Sequence, residues 1–239
     1  MGKLNFQEKF SLVTAILPKE AAMDVFDKAI PLFIHTDILI NARGVFYKDK
    51  WYQKFTPSIS PEQTVLEMLV PDHYAEPLMD NIATSANLHQ SGTGAVYAVK
   101  CGKVLFLNEP DFSQSIDNIA TGTIQYKRNL TAIFCIIQKN MAEGVDFAAM
   151  RAGSSGPTIS YGEGHGVRDK LGLLRIAISP EKELIRVVVD HYDADTVFEA
   201  MARQGRLDTP GMGFIYMVDV DSGIINISSL LSTRNELAN

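Results

Sequence analysis

Apolar residues along the chain fall into short runs with two alternating periods. Residues 10–17 form a mostly apolar run of strand length, and Pro18 suits the first turn of a following helix. Ala22, Met23, Phe26, Ala29 and Ile30 then share one helical stripe, and Pro31 ends it. Residues 38–40 start a second strand, 64–70 alternate as a third, Pro71-Asp72 opens a helix to about Leu88, and 94–99 make a fourth strand. Residues 44–60 are long, polar and aromatic, without a period. The same order then returns. It predicts a strand at 130–137, a helix ending at Ala152, a strand at 157–161 and a glycine-rich stretch. A hairpin of 173–178 and 183–189 turning at Ser179-Pro180 follows, then a helix at 193–202 and a closing strand at 214–220. Each half reads βαββαβ, an α+β pattern of the ferredoxin-like split βαβ kind.

The repetition is also written in the residues. Ile59-Ser60-Pro61-Glu62 returns as Ile178-Ser179-Pro180-Glu181, and Gly94, Tyr97 and Val99 return as Gly213, Tyr216 and Val218, both at an offset of 119. Asp72-His73-Tyr74 returns as Asp190-His191-Tyr192 at 118, and Ile16 and Lys19 return as Ile136 and Lys139 at 120. Four landmarks in one order at nearly one spacing predict a duplication. The expected division is 1–107 and 129–239, with the polar residues 108–128 as linker.

Composition narrows the class. The chain has 239 residues, 46% hydrophobic and 21% charged, with a net charge of −6. These values exclude a disordered or low-complexity chain, and the acidic balance argues against a nucleic-acid partner. There is no 18–20-residue apolar run and no secretory pattern at the start, which gives a cytoplasmic expectation. Cys101 and Cys135 sit in apolar runs without a metal-ligand spacing, as inert thiols do. The five histidines form no ligand array. His73 and His191 each follow Asp at a predicted helix start, and His165, within a glycine-rich loop, is the one histidine expected near a ligand. Asp219, Asp221, Lys100 and Lys103 follow the closing strands as solvated loop ends. No catalytic triad, paired carboxylate, metal set or P-loop stands out, so neither an enzyme nor a required cofactor is expected.

Two glycine-rich segments carry the candidate chemistry. Gly162, Gly164 and Gly166 precede Arg168 and Lys170, while Gly205, Gly211 and Gly213 accompany Arg203 and Arg206. Glycine lets backbone N–H groups approach an anion closely, and neighbouring cations add charge. On the residues alone, tight turns with solvated arginines are the favoured account of both segments. The counterpart in the first half, His89-Gln90-Ser91-Gly92-Thr93-Gly94, has no arginine or lysine. Tyr47, Lys48, Trp51 and Tyr52 lie in the long aromatic and basic stretch, which either packs on the protein itself or anchors a partner.

Together, the order βαββαβ, the long segment after the second strand and the glycine-rich loop before the last strand resemble the P-II nitrogen-regulatory family. Ala202-Arg203-Gln204-Gly205-Arg206-Leu207, with Gly211 and Gly213 after it, resembles that family's nucleotide-cradling B-loop, although Phe214 stands where the family has lysine. Tyr161-Gly162-Glu163-Gly164-His165-Gly166 resembles the base of its T-loop. The resemblance implies two tandem P-II-like domains and a signalling protein of nitrogen regulation that binds ATP, ADP or AMP. The implied nucleotide site is Gly162, Gly164, Gly166, Arg168, Arg203, Gly205, Arg206, Gly211 and Gly213. It also implies a homotrimer, and a regulated enzyme or membrane transporter docking on the loop of Tyr47, Lys48, Trp51 and Tyr52. Alternatives on the same fold are a metal-ion or small-molecule binding trimer of the divalent-cation tolerance type, and an enzyme with a site between domains.

Overall fold

The computed structural model describes residues 6–30, 37–44, 62–90, 92–106, 112, 124–164 and 181–226. Nine strands and four α-helices follow in the order β1 (Phe10–Pro18), α1 (Lys19–Lys28), β2 (Asp37–Gly44), β3 (Glu62–Pro71), α2 (Asp72–Ser85), β4 (Gly94–Cys101), β5 (Leu130–Gln138), α3 (Ala142–Arg151), β6 (Thr158–Glu163), β7 (Glu181–Asp190), α4 (Ala194–Gln204), β8 (Gly213–Val220) and β9 (Ser222–Asn226). The chain divides into two compact units. The first takes Met1–Ile40, Gln63–Leu130 and Asp219–Ile227, and the second takes Asn41–Glu62, Thr131–Val218 and Ser228–Asn239.

In the first unit the strands lie in the order β2-β3-β1-β4-β9. β1 is antiparallel to β3 from Phe10↔Pro71 to Pro18↔Gln63 and to β4 from Phe10↔Cys101 to Ile16↔Ala95. The period-two pattern sends Val13, Ala15 and Leu17 of β1, Leu66, Met68 and Val70 of β3, and Val96 and Ala98 of β4 into one core. Ala22 and Val25 of α1 and Leu78, Met79 and Ile82 of α2 fill it from the helix side. Residues expected to be linker join this core: Phe112 and Tyr126 pack against it, and the Tyr74 hydroxyl donates to the Phe112 carbonyl at 2.6 Å.

The second unit repeats the plan. Its strands lie in the order β8-β5-β7-β6, and residues 42–44 of β2 run antiparallel along β6. Ile133, Cys135 and Ile137 of β5, Ile159 of β6, and Ile185, Val187 and Val189 of β7 meet Val145 and Ala149 of α3 and Val197 and Met201 of α4. Counting each βαββαβ series separately, both place their strands 4-1-3-2.

One expectation, the strand at 173–178 as hairpin partner of β7, lies outside the described residues; β7 pairs with β6 from Thr158↔Arg186 to Glu163↔Glu181 and neighbours β5 on its other side. Two details differ from the sequence expectation. The helix expected to reach Leu88 ends at Ser85, because Asn87 turns left-handed at φ +52°. β9 was not expected at all, and it pairs with β4 from Gly94↔Asn226 to Ala98↔Ser222.

Candidate functional site

The loop from α4 to β8 begins with a capping arrangement that reverses the chain. Leu207 N–H donates to the Ala202 carbonyl and Arg206 N–H to the Arg203 carbonyl, so the last carbonyls of α4 are satisfied with Arg206 in the left-handed position. Arg206 has φ +52°, Gly211 +85° and Gly213 +145°. The loop from α2 to β4 has the same signature 119 residues earlier: Asn87 +52°, Gly92 +84° and Gly94 +131°. Its Leu88→Ala83 and Asn87→Thr84 bonds repeat the cap as well. The closing glycines have a packing cause. A Cβ on Gly213 would sit 2.0 Å from the Ile136 carbonyl oxygen, and one on Gly94 would sit 2.2 Å from that of Ile16. Gly205 is the buried cap residue of α4, held between the Met201 carbonyl and Leu207.

The two loops differ in what they carry. Asn at the left-handed cap position is well tolerated, whereas arginine there costs roughly 1 kcal/mol of backbone strain. The second unit therefore holds an exposed cation at a position where its own backbone favours glycine or asparagine. Arg203 is also exposed but is paired with Glu199 at 2.9 Å, one turn back on α4.

Gly162 and Gly164 lie at the far end of β6, where Gly162 stands opposite Lys182 of β7. Nothing lies within 4 Å of a Cβ built on Gly162, so its backbone faces open space. Over Gly164 runs the Lys182 stem, 3.0 Å from the Cβ position. The Lys182 ammonium donates to Gln138 Oε1 at 2.6 Å, and Gln138 Nε2 donates to the Gly211 carbonyl. Lys182 and Gln138 thus tie the two glycine segments to one another within the second unit. Burial lowers the pKa of Lys182 and so weakens its hold on the proton. Neither residue was a sequence candidate. The signal was there for Gln138, which replaces Pro18 in the repeat match. Gly166, Arg168 and His165, like Tyr47, Lys48, Trp51 and Tyr52, fall outside the described residues.

A second polar group in the same unit also escaped the sequence reading. Glu183 of β7 accepts the N–H groups of Met141 and Ala142 at 3.0 and 2.9 Å, satisfying the start of α3. Arg43 donates to the Tyr161 hydroxyl at 2.6 Å and lies 3.8 Å from Glu183 and 3.7 Å from Glu143. Asp146 on α3 is fully buried and neither carboxylate oxygen has a hydrogen-bond partner. Desolvation pushes its pKa up to about 8, with Arg43 opposing and Glu183 and Glu143 adding to the shift. It is a neutral acid at neutral pH.

Elsewhere, Lys100 lies 3.3 Å from Asp72 and 3.6 Å from Asp221, so these strand ends form an ion cluster that Ser11 joins by donating to Asp72 at 2.7 Å. The equivalent place in the second unit has Thr131 at 2.9 Å from Nδ1 of His191, while His73 packs its ring on Tyr74. Burial pushes the Cys135 thiol up to about 12 and raises that of Cys101. Among the described residues no three His, Cys, Asp or Glu side chains are grouped to hold a metal, and no helix is long and apolar enough to cross a membrane.

The chain matches no protein-family model and no curated protein. Among solved structures it is similar to the crystal structure of Arabidopsis thaliana PII bound to citrate, with 22% identity and a TM-score of 0.32 over 39% of this chain and 78% of that one.

Proposed function

We propose that the chain is a P-II-like signalling protein of two tandem ferredoxin-like domains, in which the second binds a small anionic ligand, an adenine nucleotide. One observation carries this reading. Two loops share one backbone across the repeat, and only the second places a strained, exposed arginine on it, beside glycines tied in by Lys182 and Gln138. Strain retained at one of two equivalent positions fits a demand for charge there. Arg206 and Lys182 supply cations, while the backbone at Gly211 and Gly162 lets phosphate oxygens come close. The ligand-bound and ligand-free forms would differ in the segments leading away from Gly164, and a regulated transporter or enzyme of nitrogen metabolism would read that difference at the loop of Tyr47, Lys48, Trp51 and Tyr52. In this reading the protein is a cytoplasmic homotrimer that turns over no substrate.

Calorimetry with ATP, ADP, AMP and citrate tests the binding step. Binding of at least one nucleotide, weakened about 10- to 150-fold by Arg206→Ala through loss of a charge-assisted hydrogen bond, is the expected result. No heat with any nucleotide up to millimolar concentration, or unchanged affinity in Arg206→Ala, would overturn it. Tight zinc or copper binding without nucleotide binding would move the protein to the metal-binding alternative.

A further inference from the structure

The two units treat their closing strands differently. In the first unit, β4 is covered along its outer edge by β9, and its burial is nearly complete from Gly94 to Ala98. In the second unit the repeat-equivalent strand, β8, stands at the end of the strand order with no further strand beside it among the described residues. Phe214, Tyr216 and Met217 are 59%, 43% and 45% exposed there, and Phe134, Tyr216 and Phe214 stack in a row. An edge strand with apolar side chains exposed is a template for another strand.

The repeat itself says which strand. β9 follows β8 directly, and the residues that follow β4 in the same way are Lys103, Val104, Leu105 and Phe106. The correspondence is structural as well as sequential. Val104 forms an isolated antiparallel bridge with Gln7, and Gly223 of β9 forms one with Lys127, at offsets of 119 and 120. Segment 103–106 is therefore the first unit's counterpart of β9, held by the same neighbour on one side. Its Leu105 is 47% exposed, whereas the counterpart of that residue, Ile224, is paired with Val96.

We infer that β8 is an interface for a second copy of this chain, whose segment 103–106 adds to it antiparallel as β9 adds to β4. Shifting the β4–β9 register by 119 sets Phe214 opposite Phe106, Ile215 opposite Leu105, Tyr216 opposite Val104 and Met217 opposite Lys103 of the second copy. Val104 stands where Gly223 does, and a Cβ on Gly223 would lie 2.8 Å from Tyr97 Cβ. The added strand must sit slightly further out at that point, which an uncovered edge allows. The contact joins different surfaces of the two copies, so it builds a closed ring or continues to further copies. The inference rests on the self-association in the proposed function, to which it gives an interface argued from the repeat and the exposed edge. It is independent of ligand binding, so a failed calorimetric test leaves it standing, and loss of assembly in the Asp variants is read without any nucleotide.

The test uses the full chain. Leu105→Asp and Phe214→Asp change exposed side chains on the two opposite partners of the contact. Light scattering at micromolar concentration is expected to show an assembly for the parent protein and the single-chain mass for each variant, with thermal melts that still show a cooperative transition. Cysteine pairing checks the register independently of those variants. In a Cys101→Ser background, Lys103→Cys and Met217→Cys chains carrying different tags are coexpressed and oxidised. A disulfide joining the two tags is expected, and neither variant expressed alone should dimerise through the new thiol. A single-chain mass for the parent, an assembly that both Asp substitutions leave intact, or the absence of any disulfide joining the two tags would each overturn the inference.

Discussion

Arg206 and Asp146 both sit in surroundings that oppose their chemistry. Arg206 occupies a left-handed cap that glycine fits without strain, so Arg206→Gly should raise stability by about 0.5–1 kcal/mol while weakening nucleotide binding as Arg206→Ala does. Denaturant melts and calorimetry on the same variant read the two effects in opposite directions. Asp146 carries a proton when folded up to about pH 8 but loses it near pH 4 when unfolded. The folded state therefore binds the extra proton between those values, and stability falls as pH rises through that window, by at most about 1.4 kcal/mol per unit. Asp146→Asn should flatten this part of the stability profile, measured by urea melts from pH 5 to 9. A profile equally steep in the variant would assign the dependence to other groups. Arg206 was legible in the sequence because a basic residue beside glycines is a recognisable pattern. Asp146, Glu183 and Arg43 were not, since Glu183 reaches the start of α3 across about forty positions and Arg43 joins them only through the β2–β6 pairing of residues more than a hundred positions apart. Lys182 was hidden because its partner Gln138 lies 44 positions earlier, on another strand.

At the level of elements, apolar period and turn residues were enough to locate eight of the strands and all four helices to within a few residues. What they missed were features set by neighbours. β9 is only five residues, Ser-Gly-Ile-Ile-Asn, too short to show alternation, and exists because β4 offers it an edge. Gly213 reads in the sequence as a ligand-cradling candidate, and it also has a packing role that it shares with Gly94: the carbonyls of Ile136 and Ile16 leave no room for a Cβ at either position. Gly94→Ala and Gly213→Ala should therefore each cost about 1–3 kcal/mol through strain at positive φ and the displaced strand. Gly162→Ala, at an open position, should change stability by less than about 1 kcal/mol. Thermal or urea melts separate the two classes; equal losses at all three positions would contradict the packing account.

For the whole molecule, the repeat is the strongest signal the sequence holds, and its offset of 119 also relates the left-handed residues, cap bonds and glycine contacts of the two loops. Function is less legible, because fold and loop shape are shared by both units while the candidate chemistry is confined to one. In the proposed function the second unit's loop cradles the phosphates of a nucleotide. The most direct measurement is a crystal structure of the full chain with the nucleotide that binds best in calorimetry. Phosphate oxygens within hydrogen-bond distance of Arg206 or Lys182 and of backbone N–H groups near Gly211, with the first unit's 87–94 loop empty, are the predicted result. A nucleotide bound at another place, or equally in both loops, would contradict the account.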